Sequence, residues 1–106
     1  GGSDCPIETG NPLFEFYAAC TRQDHNGYPK GGWQPQEKVQ RIEALKMLTS
    51  WGAYAEFNEN RRGKIEIGFD ADLTILSDDI TVCSPQEILN TEIIMTIVAG
   101  RLVYEK

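Results

Sequence analysis

The sequence predicts an α+β fold in which helices precede strands. Apolar residues recur at helical spacing before Gly63, and after it they alternate or run together, as in residues 73–76 and 93–98. We expect Gly63 to end a helix and Gly68 to begin a turn that leads into a buried strand. The chain therefore divides into a helical part, residues 1–62, and a part rich in strands, residues 63–106.

Length, composition and charge exclude several classes of protein. The chain has 106 residues, of which 41% are hydrophobic and 25% charged, which is ordinary for one small globular domain. The net charge of -6 and the scattered basic residues exclude a nucleic acid or an anionic membrane as partner. Three widely spaced cysteines indicate free thiols in a reducing compartment, and no secretory leader opens the sequence, so we expect a cytoplasmic location.

Residues 1–6 form a glycine-rich segment that ends in proline and carries one carboxylate, Asp4. This composition is typical of a site loop, because glycine lets other groups approach the backbone closely. It is also typical of a frayed chain end, which is the commoner explanation when the residues are considered alone.

A helix is predicted to begin at Pro12, because Asn11 is a favoured N-cap and proline fits the first helical turn. Its apolar face consists of Leu13, Phe16, Tyr17 and Cys20. We interpret Cys20 as a packing thiol, since no histidine shares its face. Residues 21–36 form a long surface loop in which Trp33 either lines a substrate pocket or, together with Tyr28, pins the loop down; we favour the second role.

Residues 39–57 are predicted to form two helices that meet near Ser50 to Gly52, because glycine inside a helix is unfavourable. The following arginines, Arg61 and Arg62, suit the negative end of a helix dipole. Ser84 and Glu87 form a capping box that opens a short helix. Residues 91–98 then form a strand with branched residues on both faces, and a turn at Ala99-Gly100 returns the chain as a hairpin at residues 102–104.

Acidic residues at two positions in the second half of the chain have structural explanations. Asp72 lies in the turn before its strand, where aspartate commonly bonds nearby backbone amides. The pair Asp78-Asp79 has no further ligand at a useful spacing, so a solvated turn is expected.

Several stretches resemble the amidohydrolase superfamily, in particular its family 3 branch. Gly2-Ser3-Asp4-x-Pro6 resembles the signature at the end of the eighth barrel strand, and Thr96-x-x-x-Gly100-x-x-Val103-Tyr104 is similar to the final hairpin. A third likeness is Gly63-x-Ile65-Glu66-x-Gly68-x-x-Ala71-Asp72-Leu73-x-x-Leu76, which resembles the passage from the barrel to a small β-sandwich. The resemblance implies a fragment made of the C-terminal helices of a TIM-barrel hydrolase and part of its composite β-sandwich.

The same resemblance implies that Asp4 binds a divalent metal, zinc being expected, and accepts the proton of the attacking water. The other metal ligands would lie upstream of these residues. The resemblance also implies that the intact enzyme hydrolyses the C–N bond of a small-molecule amide or cyclic amide. The isolated chain should be inactive and hold no metal, because one carboxylate and a single histidine, His25, cannot complete a site. We also expect a homo-oligomer, since strands and helical faces would lack their partners.

Other readings of the sequence remain open. Cys5, Cys20 and His25 lack the close pairing that zinc ligands usually show, and a Cys5 nucleophile paired with His25 would require the long loop to fold back. The main alternative function is a non-catalytic module that binds a partner through its exposed edge strands.

Overall fold

The computed structural model describes all residues, 1–106, and shows a helical part followed by a small sheet. The α-helices are α1 (Pro12–Thr21), α2 (Arg41–Leu48), α3 (Ser50–Ala55) and α4 (Pro85–Asn90), with a 3₁₀ turn at Pro35–Glu37. The strands are β1 (Leu73–Leu76), β2 (Ile93–Val98) and β3 (Arg101–Glu105), arranged in the order β1-β2-β3 with both pairs antiparallel. The predicted α+β class is confirmed. No helix combines the length and hydrophobicity needed to cross a bilayer.

Helix α1 begins where its local signals predict. The side chain of Asn11 accepts a hydrogen bond from the Leu13 amide at 3.0 Å, and Pro12 occupies the first helical position. The core is built around the buried face of α1, and its members are Leu13, Phe16, Tyr17, Ala44, Ile80 and Ile88. Cys20 lies at the margin of this core, as expected for a packing thiol. Burial raises the pKa of Cys20, which outweighs the opposing effect of the Arg41 guanidinium and disfavours the nucleophilic thiolate.

The break between α2 and α3 lies at Thr49, and Gly52 is inside α3. Thr49 has φ −130° and ψ −97°, and its hydroxyl donates to the carbonyl of Leu45 at 2.8 Å. Gly63 was expected to end a helix, but α3 already ends at Ala55. A Cβ at Gly63 would lie 2.7 Å from the Cα of Ser50, so this glycine permits close packing against the start of α3. The path of the chain at Gly63 therefore depends on its packing against Ser50 and not on the end of a helix.

Arg61 and Arg62 form ion pairs and do not contact the end of a helix. Arg61 lies 3.0 Å from the carboxylate of Asp70, and Arg62 lies 3.4 Å from the same group and 3.7 Å from Asp72. The predicted turn at Gly68 is present, with the Phe69 amide donating to the Glu66 carbonyl at 3.1 Å. The segment before it is solvent-exposed, and the side chain of Ile67 is fully exposed.

The long loop is held at its base by Arg22, and of the two aromatic residues predicted to pin it down only Trp33 takes part. Tyr28 is 73% exposed and Trp33 is 60% exposed, so neither is a buried anchor. The Trp33 amide donates to the Arg22 carbonyl, and Arg22 Nε donates to the Trp33 carbonyl, both at 2.8 Å. The Arg22 guanidinium also lies 4.9 Å from the Trp33 ring centre. One backbone hydrogen bond and the Arg22 side chain therefore close the loop.

The sheet contributes little to the core. Among its residues only Leu76 packs at the core margin, whereas Thr96 and Tyr104 face a cleft of about 520 Å³ beside the N-terminus of α1. The register places a second set of side chains on the opposite face: Leu73, Ile75, Met95, Ile97 and Leu102. We call this set the outer sheet face. Because β2 is only half-buried, the predicted burial of both faces is not reached within these 106 residues.

Candidate functional site

Asp4 lies in a short turn that precedes α1. The Ile7 amide donates to the carbonyl of Asp4 at 2.9 Å, and Asp4 adopts a left-handed backbone conformation with φ 53°. Aspartate tolerates this region better than most residues, although it remains uncommon outside glycine. The side chain of Asp4 is exposed, and its carboxylate forms no hydrogen bond or ion pair with another residue of the chain. It is therefore available to a ligand.

The other carboxylates singled out in the sequence have partners. Asp72 Oδ1 accepts a hydrogen bond from the Ala99 amide at 2.8 Å, so Asp72 bonds backbone as predicted, but its partner lies 27 residues away and not in the nearby turn. Asp79 accepts from both the hydroxyl and the amide of Thr81, and these bonds lower its pKa. Asp78 accepts from the Ser77 hydroxyl at 2.7 Å. The predicted solvated turn at Asp78-Asp79 is thus confirmed.

The first residues of the chain and the long loop meet at an open cavity of about 620 Å³. Its lining includes residues 1–3, the first turns of α1 and residues 23–25, but Asp4 is not among the lining residues. His25 packs on Phe14 with ring centres 4.4 Å apart and approaches the Tyr17 ring at 6.1 Å. The sequence did not predict this packing, because the spacing within an irregular loop carries no information on where its side chains turn.

No group of three or more His, Cys, Asp or Glu side chains lies close enough to hold a metal ion. The structure therefore does not bring Cys5, Cys20 and His25 together as one ligand set. Asp4 can supply one oxygen ligand, which is a donor that suits divalent cations. A complete metal centre would need donors from outside these residues.

Comparison with known proteins agrees with the resemblance seen in the sequence. Residues 1–104 match the family described as "Amidohydrolase family". The chain is 37% identical over 106 residues to "Putative amidohydrolase YtcJ" of Bacillus subtilis (strain 168), covering 100% of this chain and 20% of that protein. It is 34% identical over 104 residues to "N-substituted formamide deformylase" of Arthrobacter pascens, covering 98% of this chain and 19% of that protein. No solved structure matches the chain.

The chain belongs to the amidohydrolase family, and the family resemblance found in its motifs is thereby confirmed. It spans about a fifth of the length of the curated relatives that it matches. The fold agrees with this membership at the level of a small α+β unit with a three-stranded antiparallel sheet.

Proposed function

We propose that this chain is the C-terminal portion of a metal-dependent enzyme that hydrolyses the C–N bond of a small amide or cyclic amide. The observation that carries the proposal is the exposed, unpartnered carboxylate of Asp4 within Gly2-Ser3-Asp4-x-Pro6, in a chain that matches the family over residues 1–104. The relative named for deformylation of N-substituted formamides supports an amide as the class of substrate.

Asp4 has two roles in this proposal. Its carboxylate supplies one oxygen ligand to a divalent metal, zinc being the expected ion, and accepts a proton from the water that adds to the amide carbonyl. The proton then passes to the nitrogen as the C–N bond breaks, so that one amide and one water give one carboxylic acid and one amine. The metal supplies Lewis acidity when it is bound. Exposure of Asp4 suits both roles, because neither requires breaking an existing contact.

Within this chain only Asp4 suits a metal, and it would supply one ligand of a larger set. Asp4 stands alone, since no cluster of three ligand side chains exists in the chain. The remaining donors must come from another part of the polypeptide. We therefore expect the 106-residue chain alone to hold zinc weakly and to be inactive.

Exposed apolar surface supports the view that further protein covers this unit. On the outer sheet face Leu102 is 52% exposed, and beyond α3 Phe57 is 93% exposed. Burying such side chains contributes roughly 1.5–3 kcal/mol each. The outer sheet face suits a second sheet of a composite β-sandwich, and the half-exposed helices suit a TIM barrel. A buried oxygen of Glu59, which lacks a hydrogen-bond partner within the chain, also fits a donor supplied from elsewhere.

The test compares two aspartates in the full-length enzyme. Asp4→Asn should lower kcat by several orders of magnitude and reduce the zinc content after dialysis, because it removes both the charge and the proton acceptor. Asp72→Asn is the matched control, since Asp72 bonds the Ala99 amide and should act on stability only. Zinc content would be measured by elemental analysis and hydrolysis with an N-substituted formamide. Mild and equal kinetic losses at both positions would contradict the proposal.

A second candidate function is a non-catalytic module that binds a partner protein through strand edges. The observation in its favour is that β1 and β3 each pair on one side only and contain no proline. This module would need neither bound zinc nor hydrolysis in the full-length protein. Their presence would therefore decide for the enzyme.

A further inference from the structure

Helix α3 ends at an aromatic residue whose backbone conformation is unfavourable for it. The Phe57 amide donates to the Tyr54 carbonyl at 3.0 Å, and the Asn58 amide donates to the Ala53 carbonyl at 2.8 Å. These two bonds form a Schellman motif, in which the residue after the helix is left-handed and is usually glycine. Phe57 occupies that position with φ 60°. A side chain with a Cβ is strained there.

Packing within the chain does not compensate for this strain. The side chain of Phe57 is 93% exposed, and the side chain of Tyr54, one turn earlier, is 69% exposed. Neither residue belongs to the hydrophobic core or to the apolar side chains that pack at its margin. Phe57 therefore adopts a strained conformation and buries almost no apolar surface within these residues.

Glu59, two residues further on, has a polar atom without a partner. Its Oε2 is shielded from solvent and accepts no hydrogen bond from the chain. Arg61 and Arg62, which follow it closely, form their ion pairs with Asp70 and Asp72. A shielded carboxylate oxygen without a donor is unfavourable. A donor from outside these residues would satisfy it, and a basic side chain is the class that complements a carboxylate.

We infer that Phe57 and Glu59 form a docking surface for another segment of the full-length polypeptide, one that offers an apolar pocket to the Phe57 ring and a basic side chain to Glu59. This inference rests on the proposed function, which makes these residues part of a longer enzyme. The chain covers about a fifth of each curated relative, so most of such a polypeptide could supply the occupant. A second copy of this chain fits less well, because its net charge of -6 does not complement a carboxylate.

The test places Phe57→Gly in two proteins, the 106-residue chain and the full-length enzyme. In the chain, urea denaturation should give a folding equilibrium constant about fivefold higher, because glycine relieves the strain and almost no buried surface is lost. In the full-length enzyme the same substitution should lower Tm by several degrees, because the pocket that the ring fills is left empty. Opposite signs are expected only if the ring is exposed in the chain and buried in the enzyme.

Gln34→Gly is the matched control for the backbone. Gln34 also has a positive φ, 47°, and it is exposed and makes no capping hydrogen bond with its side chain. Glycine at this position should therefore raise stability in both proteins. Glu59→Gln tests the charge of the partner, since glutamine keeps an oxygen acceptor. It should lower Tm in the full-length enzyme and should not destabilise the 106-residue chain.

Hydroxyl-radical footprinting of the wild-type proteins reads the exposure of Phe57 directly and does not depend on the folding of a variant. Oxidation of Phe57 should be rapid in the isolated chain and suppressed in the full-length enzyme. Equal oxidation in the two proteins would overturn the inference. So would a loss of stability in the isolated Phe57→Gly chain that depends on protein concentration, because the occupant would then be a second copy.

Two further results separate the parts of the argument. An unchanged Tm for Glu59→Gln in the full-length enzyme would overturn the basic partner of Glu59. Full activity of Asp4→Asn would overturn the proposed catalytic role, but it would leave the opposite effects of Phe57→Gly in the two proteins unaltered.

Discussion

Asp72 provides a quantitative test of the contact between the start of β1 and the turn that joins β2 to β3. Its Oδ1 accepts a hydrogen bond from the Ala99 amide at 2.8 Å, and Ala99 belongs to the turn between β2 and β3. The neighbouring Ala71 carbonyl accepts from the Gly100 amide at 3.0 Å. Together these bonds tie the start of β1 to the hairpin turn. Replacing Asp72 by alanine removes one of them and leaves the Ala99 amide without its acceptor.

The magnitude follows from the chemistry and exposure of this bond. A hydrogen bond to a charged group contributes about 1.5–3 kcal/mol, and the side chain of Asp72 is 36% exposed, so water replaces part of the loss. We therefore expect Asp72→Ala to lower the free energy of unfolding by about 1–1.5 kcal/mol. The ion pair with Arg62 at 3.7 Å adds little, since exposed pairs contribute about 0.2–1 kcal/mol. Asp72→Asn keeps an oxygen acceptor and should cost about 0.5 kcal/mol.

Urea denaturation of the chain at one fixed protein concentration measures these differences, because association would otherwise shift the midpoints. Asp70→Asn is the control for charge: it removes the ion pairs with Arg61 and Arg62 and leaves the bond to Ala99 intact. Hydrogen exchange at the Ala99 amide should accelerate only in Asp72→Ala. If Asp72→Asn cost as much as Asp72→Ala, the charge and not the hydrogen bond would be responsible. If neither variant changed stability, the tie between β1 and the turn would contribute nothing.

Three further predictions concern the core, pH and assembly. Ile88 on α4 is fully buried in the core, so Ile88→Ala should lower the free energy of unfolding by about 2–5 kcal/mol in urea denaturation. Ile67 is fully exposed, so Ile67→Ala should change it by less than about 0.5 kcal/mol. Similar losses in the two variants would contradict the assigned core. Hydrogen bonds from the amide and hydroxyl of Ser84 hold the pKa of Glu87 below its ordinary value of 4.5, so their stabilising contribution is present above that pH and is lost as the pH falls through the lowered value. Glu87→Gln should flatten this part of the stability profile, and an unchanged profile would exclude the capping box as its source. Light scattering at micromolar concentration should show a dimer or larger assembly of the isolated chain, and a monomer with a two-state transition would show that these residues close their own core.

Local signals predicted several elements because the interactions concerned lie within a few residues. Asn11 and Pro12 define the start of α1, and Ser84 with Glu87 defines the start of α4. The hairpin turn at Ala99-Gly100 is present between two strands as predicted, with a positive φ at both residues that Gly100 adopts readily and Ala99 adopts less readily. Each of these features depends on a helix cap or a turn whose residues are close together in the sequence.

The features that sequence reasoning missed depend on contacts between distant residues. Glycine in a helix costs on the order of 1 kcal/mol, which tertiary packing can overcome, so Gly52 remains helical and the break falls at Thr49. Gly63 packs against Ser50, 13 positions earlier in the chain, and no local pattern predicts that approach. The pairing of Arg61 with Asp70 was missed for the same reason, because two charges in an irregular segment show no periodicity.

The contrast between Asp4 and the other aspartates explains what sequence and structure each contribute to the site. Every carboxylate in a turn is a candidate by composition, and only the Gly2-Ser3-Asp4-x-Pro6 pattern singles out Asp4. The structure shows that Asp70, Asp72 and Asp79 already satisfy hydrogen bonds or ion pairs, whereas the Asp4 carboxylate has no such partner. An ionised group that forms no internal contact gives little to stability, so the contacts of the folded chain do not account for the charge of Asp4. Under the proposed function, a divalent metal held jointly with donors from the rest of the polypeptide would be the partner that this carboxylate lacks within the chain.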